Sequence, residues 1–267
     1  MYPELFRIGP IAVSSYGVML AAAFIIGIMI TTRLSRQRGI DEDAIINLTF
    51  LVMISAIIGS RLLYVLMHLQ EFRGRWIYTF LPLQPDGTIG LSGLIFLGGL
   101  IAAVITGSWY VRRKKLPLRK TADSLAPSVA FGLFLGRIGC FLNGCCFGKA
   151  CALPWGVKFP GHSPAGAIMG DVHLHPTQLY SSSYALLIFA LLMWLNARKS
   201  FDGALTAAFL ILYGISRFTV DFFRFYESQM QIGFLDLNQI ISLLMIAGGA
   251  FIFYKHKQAQ KLPVCEE

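Results

Sequence analysis

Stretches of about 20 consecutive, mostly apolar residues recur along this chain, and nothing constrains its fold more. At 1.5 Å of rise per residue, one such stretch crosses a hydrocarbon core of ~30 Å as a single helix. The pattern predicts spans at 14–32, 44–68, 91–111, 122–142, 177–197, 203–225 and 237–254. Of 267 residues, 55% are hydrophobic and 14% charged, against about 25% charge in a soluble domain. The apolar runs are continuous rather than strictly alternating, which argues against an outer-membrane barrel. The expected fold is an all-α polytopic membrane protein of about seven transmembrane helices. Neither an internal repeat nor a low-complexity tract divides residues 1–267, so one membrane-embedded domain is expected.

The net charge of +9 raises the question of a nucleic-acid partner, and its distribution argues against one. The segments RLSRQR, RRKKLPLRK, NARKS and KHKQAQK follow alternate spans and hold 14 of the 23 Lys and Arg residues. The opposite set of segments holds only Arg7, Arg73, Arg75, Lys149 and Lys158. By the positive-inside rule the amino terminus lies outside and the carboxyl terminus in the cytosol. The surplus also favours anionic membrane lipid. Residues 1–17 lack the basic n-region of a cleavable signal, and 1–13 are expected to lie as a short amphipathic arm on the outer face. The segment 143–176, rich in Gly and Pro, is expected to form a small outer cap.

Four arginines remain inside spans: Arg61, Arg137, Arg217 and Arg224. A charge at a helix centre costs about 2.5–3.5 kcal/mol on insertion scales and usually marks a site. On this topology Arg61, Arg137, Arg217 and Asp221 fall within roughly 12 Å of the outer boundary. Arg217 and Asp221 are i,i+4 neighbours and are expected to pair, which leaves Arg137 and Arg61 to meet an anion. Tyr16, Tyr213, His175, Gln178 and Tyr180 occupy similar depths on other spans. Arginine's planar fork matches phosphate, so the residues themselves point to a phospholipid-phosphate site open to the outer leaflet. The bland alternative is that the arginines merely snorkel to the interface.

The stretch GRIGCFLNGCCFG at 136–148 resembles the signature Gly-Arg-x-Gly-Asn-Phe-x-Asn-x-Glu-x-x-Gly of the bacterial prolipoprotein diacylglyceryl transferases. SSYGVML, GSRLLYVL, LGGLIAAV, HPTQLY and YGISRFTVDFFR resemble further segments of that family, in the same order. The resemblance implies a transferase of lipoprotein biosynthesis in the bacterial inner (cytoplasmic) membrane. It moves a diacylglyceryl group from phosphatidylglycerol to the lipobox cysteine thiol of a prolipoprotein, and glycerol phosphate leaves. It implies catalytic roles for Arg137, Arg217 and Asp221, and phospholipid binding by Arg137, Asn143, Arg61, Tyr16, Gly148, His175, Gln178, Tyr180 and Tyr213. Its partners are phosphatidylglycerol, the signal peptide with its lipobox, and membrane lipid. It implies no cofactor.

The chain departs from the family pattern at five positions. Leu97 replaces a histidine before Gly98 and Gly99; Cys140 and Cys145 replace the signature's first Asn and its Glu. Ser181 replaces a Glu, and Asp221 a longer Glu. A base for the thiol proton is thereby unassigned. Cys140, Cys145, Cys146 and Cys151 lack the paired C-x2-C knuckles of structural zinc sites, so no metal is expected. A bridge from Cys145 or Cys146 to Cys151 is open on an oxidising face, as is a role as small apolar fillers. His173 is expected to face solvent, and Asp123 to cap a helix. Besides a cysteine-based redox membrane protein, which a metal or a redox-active cysteine pair would mark, two other functions compete. One is a diverged paralogue that binds phospholipid but modifies another acceptor, which transfer of label to a lipobox peptide distinguishes. The other is an anion transporter, disfavoured by the apolar cytosolic halves of the spans.

Overall fold

The computed structural model describes residues 3–8, 11–70, 72, 95–198, 201–226, 231–232 and 235–259. Its long helices are α1 (Ser15–Gln37), α2 (Glu42–Met67), α3 (Phe96–Arg113) and α4 (Leu118–Asn143). After a short α5 (Pro164–Met169) come α6 (Thr177–Ala197), α7 (Ala204–Asp221) and α8 (Leu237–Ala259). Among the described residues six are long and apolar enough to cross a membrane: α1, α2, α4, α6, α7 and α8. The chain is thus a helical, multi-pass membrane protein. The span expected at 91–111 begins outside the described residues, and α3 is its described part.

Contacts divide the chain into two compact units. One comprises Glu4–Ser14 and Thr32–Thr121. Here the expected amphipathic arm is instead an antiparallel hairpin, β1 (Glu4–Ile8) with β2 (Ile11–Ser14), pairing Glu4 with Ser14 and Ile8 with Ile11. Two short runs containing Phe, Ile and Val suit a pleated ribbon better than a helix. Asp41 accepts the amide of Ala44 at 3.1 Å and caps α2, with Glu42 and Asp43 in its positive first turn. α2 and α3 then meet backbone to backbone. A Cβ on Gly59 would stand 2.6 Å from the Gly98 carbonyl oxygen, and one on Gly98 would stand 2.4 Å from that of Gly59. Small residues allow this approach, the means by which helices associate where lipid offers no hydrophobic drive.

The other unit holds Ser15–Thr31 and everything from Ala122 onward. Thr31 of α1 donates to Ser128 of α4 at 2.6 Å. Ala126 and Ala130 of α4 pack with Ile188 and Leu192 of α6 and Leu205 and Ala208 of α7. α7 and α8 approach at Gly214, where a Cβ would lie 2.8 Å from the Ser242 carbonyl oxygen. Asp123 is 3% exposed, and it caps α7 rather than its own helix. Its carboxylate accepts from the Gly203 amide at 2.7 Å, the Thr206 amide at 2.9 Å and the Thr206 hydroxyl at 2.8 Å. Three otherwise orphaned donors at a positive helix end are met at once.

α4 ends in a Schellman motif. Gly144, at φ +75°, donates its amide to the Phe141 carbonyl at 3.2 Å, and Cys145 donates to that of Cys140 at 3.1 Å. The chain from there to α6 folds around Phe147, Phe159, Ala165 and Leu174, with α5 capped by Ser163. α7 stops at Asp221, earlier than the expected 225, and Arg224 therefore lies outside the helix. The chain beyond it pairs instead with the loop after α4: Lys149 donates to the Phe223 carbonyl at 2.8 Å and Phe225 to that of Phe147 at 3.2 Å.

Candidate active site

Arg137 of α4 and Arg217 of α7 line one cavity, with Leu133, Ser181, Tyr213 and Ser216 among its walls. At about 20 Å3 it has room for a water rather than a phosphate. Ser181, where relatives of the signature place a Glu, donates to the Thr177 carbonyl at 2.8 Å. Its own backbone thus occupies its hydroxyl, and a short residue there leaves the space beside Arg137 open. Tyr213, four residues before Arg217 on α7, shares the cavity wall with Arg137.

Arg217 is held from two sides. Its Nη1 meets Asp221 Oδ1 at 3.1 Å across one helical turn, and the Asp221 side chain is fully buried. Its Nη2 donates to the Tyr226 hydroxyl at 2.8 Å. Tyr226 in turn donates to Asp221 Oδ1 and accepts from Asn238 Nδ2 at 3.2 Å. Burial raises the Tyr226 phenol above its usual range, which keeps it a donor to the carboxylate. Asp221 Oδ2 is buried without a partner. Sequence reasoning found the i,i+4 pair and missed Tyr226 and Asn238. Tyr226 lies past the helix end, beyond any helical spacing rule, and its only signal is its place in the aromatic run FFRFY.

Tyr16 abuts the α4 backbone: a Cβ on Gly139 would sit 3.1 Å from its ring. Gln178, fully buried, donates to the Cys145 carbonyl at 2.9 Å, while its Oε1 has no partner. His175 Nδ1 lies 3.3 Å from the Tyr180 hydroxyl, which also accepts from Trp155 at 2.9 Å. Gly148 has no space for a side chain, since a Cβ would stand 2.6 Å from His175 Cβ and from the Phe223 carbonyl oxygen. Asn143 closes α4. Arg61 belongs to the other unit, where it lies over the Tyr64 and Phe72 rings at 5.6 and 5.5 Å. Leu97 is 51% exposed there, and His173 is exposed as expected.

Among the described residues no cysteine is bridged: Cys140, Cys145, Cys146 and Cys151 are all free, in contrast to the disulfide left open by the sequence. The Cys140, Cys145 and Cys146 sulfurs instead converge to within 4.8 Å of one another. The Schellman motif brings together the residue three before the last helical one, Cys140, and the second residue after the helix, Cys145, normally as an apolar contact; here both carry thiols. Cys146 takes φ +61°, unusual without glycine, and this turns its side chain back onto the pair. Thr177 holds its carbonyl at 2.9 Å. Hydrogen bonds from Cys140 and Cys145, then the Arg224 and Arg137 charges, hold the Cys146 thiol far below its usual range against the opposing effect of burial. Arg224 has a buried Nε with no partner and stands 5.2 Å over the Tyr226 ring. A spacing rule built on C-x2-C knuckles passes over this cluster because a helix terminus, not a knuckle, assembles it.

Known proteins resemble this chain over nearly its whole length. A family model described as prolipoprotein diacylglyceryl transferase matches residues 3–255. A phosphatidylglycerol–prolipoprotein diacylglyceryl transferase of Clostridium tetani is 33% identical over 254 residues, covering 95% of this chain and 97% of the relative. The protein of the same name from Finegoldia magna is 33% identical, covering 95% of each. That of Synechococcus elongatus is also 33% identical, covering 92% of this chain and 84% of the relative.

Proposed function

The chain belongs to the prolipoprotein diacylglyceryl transferase family, and from that premise we propose that it carries out this transfer at the Arg137–Arg217 cavity. The donor is phosphatidylglycerol, and the acceptor is the lipobox cysteine of a prolipoprotein signal peptide. A thiolate attacks the glyceryl carbon, the carbon–oxygen bond to phosphate breaks, and glycerol phosphate leaves with the electron pair. Negative charge grows on the departing phosphate as the bond breaks. Arg137, with Asn143 and Tyr213, binds the headgroup phosphate. Arg217, aimed by Asp221 and Tyr226, stabilises the charge of the transition state. Preorganised donors of this kind contribute about 2.7–4 kcal/mol each.

The convergence of two guanidiniums from different helices on one cavity, one locked by a buried carboxylate and a phenol, carries this reading. The cavity must widen to take a phosphate, which a lipid entering sideways between helices accomplishes. Tyr16, Gly148, His175, Gln178 and Tyr180 complete the headgroup wall. We place the protein in the bacterial inner membrane, with seven spans, the amino terminus outside, the carboxyl terminus cytosolic, and 143–176 as a periplasmic cap. The alternation of basic segments supports that orientation.

Reconstitution with radiolabelled phosphatidylglycerol and a lipobox peptide tests the proposal. Label is expected on the peptide with the native chain, none with Arg137→Ala, and a residue of about one part in 10² to 10³ with Arg217→Ala. Undiminished transfer by both variants refutes the assigned roles. A gain from Leu97→His would show that the family's histidine function is missing here; no gain means another group supplies it.

A further inference from the structure

We propose that Cys140, Cys145 and Cys146 bind one thiophilic divalent cation of the zinc class, whose fourth coordination position takes the thiolate of the acceptor cysteine. The proposal rests on the transferase reading above and supplies the thiol-activating group which that reading lacks.

The geometry comes first. Zinc binds thiolates at about 2.3 Å, so a tetrahedral site needs sulfurs about 3.8 Å apart. The three sulfurs already lie within 4.8 Å of one another, so closure requires displacements of about an ångström or less. The backbone beneath them is fixed before any ion arrives. The Schellman motif places Cys140 against Cys145, the positive φ of Cys146 folds it inward, and Gln178 and Thr177 hold the two carbonyls at 2.9 Å. Small apolar fillers require neither a residue in a left-handed conformation nor three sulfurs meeting at one point.

Charge comes second. Three thiolates and a divalent cation carry one net negative charge. Arg137 lies one helical turn before Cys140 on α4, and the backbone of Arg224 pairs with Gly148, two residues after Cys146. The partnerless buried Nε of Arg224 has the anion it needs once the thiolates form.

Chemistry comes third. Three protein ligands leave an open position, the arrangement of catalytic zinc sites, and a coordinating thiol is deprotonated outright. The acceptor cysteine gives its proton to water as it binds. Its sulfur lone pair then forms the S–C bond to the glyceryl carbon, while the C–O bond breaks toward the phosphate beside Arg137 and Arg217. The cation keeps its oxidation state throughout. The thioether product is neutral and binds the ion weakly, so it leaves. In this chain a metal-held thiolate takes over from the histidine and glutamate that Leu97 and Cys145 replace.

The test uses the purified full chain in lipid nanodiscs. After loading with Zn2+ and removal of loosely held ion, elemental analysis is expected to give one zinc per chain. Cys140→Ser and Cys145→Ser should hold less than a tenth of that, and Cys151→Ser should hold it all. Zinc content that is nil, or indifferent to these substitutions, overturns the site. Because a variant may unfold, chelation and reloading of the native chain is followed in parallel by the Cd2+–thiolate charge-transfer band. Addition of a lipobox peptide should raise the band of the Cd2+-loaded chain by one third, from three thiolates to four. The same peptide with Ser for its lipobox Cys should leave it unchanged, and equal bands with both peptides overturn the open-position claim. A rise in the band without transfer of label refutes the transferase reading and leaves the metal site standing.

Discussion

Replacing Tyr226 by phenylalanine removes one oxygen and three hydrogen bonds from the neighbourhood of Arg217. The lost bonds are that from Arg217 Nη2 at 2.8 Å, that from Asn238 at 3.2 Å and that to Asp221 Oδ1. Arg217 keeps its 3.1 Å contact with Asp221, so the charge stays in place while its orientation loosens. A hydrogen bond to a charged group contributes about 1.5–3 kcal/mol. At 1.36 kcal/mol per tenfold in rate, transfer should slow by about 10- to 150-fold. On the proposed roles the effect should fall on kcat, because the contact by which Arg217 would steady the departing phosphate is loosened, whereas Arg137 would still bind the headgroup. Initial rates of label transfer across a range of phosphatidylglycerol concentrations measure both constants. Asn238→Ala, which removes only the weakest of the three bonds, should cost less than about tenfold. A kcat for Tyr226→Phe within about twofold of native, in a protein that melts normally, would show that Asp221 alone orients Arg217.

Asp123→Ala leaves the Gly203 and Thr206 donors unmet at the start of α7 and should lower stability by about 2–3 kcal/mol, read as an earlier thermal midpoint in detergent. Gly98→Val drives a branched side chain into the Gly59 carbonyl, 2.4 Å from where its Cβ must sit, and should sharply reduce the yield of folded protein in a fluorescence size-exclusion assay. Gly144→Ala forces a side chain to φ +75° and to 2.7 Å from Ser163 Cβ. It should cost about 1–2 kcal/mol from the backbone alone and cut Cd2+ binding by the neighbouring cysteines at unchanged expression.

The helical membrane fold could be read from the chain because a span is a local property: twenty apolar residues declare it wherever they occur. The Arg217–Asp221 pair was equally legible, since four residues make one helical turn. Tyr226, Asn238 and the cross-helix capping by Asp123 were not, because each joins segments whose approach is set by packing rather than by spacing. The end of α7 at Asp221 was also hidden. The apolar run continues through Phe222 and Phe223, and only the bond from Lys149 to the Phe223 carbonyl shows that the helix has stopped. At the amino terminus, five and four residues with β-forming side chains were too few for their alternation to stand out against an amphipathic arm. The cysteines were visible as a group, but their convergence depends on a left-handed residue at 146 that no neighbouring glycine announced.

The carboxylate of Asp123 sits at the opposite end of α4 from Arg137, fourteen residues or about 21 Å away. It grips the start of α7, eleven residues before Arg217. The grip works as a vernier. If α7 advanced by one residue against α4, Thr206 would leave the carboxylate, and Arg217 would swing about 100° around its axis. The angular setting of a guanidinium near one end of α7 is thus tied to a latch at the other end, and a substitution about 21 Å from the cavity can mistune it.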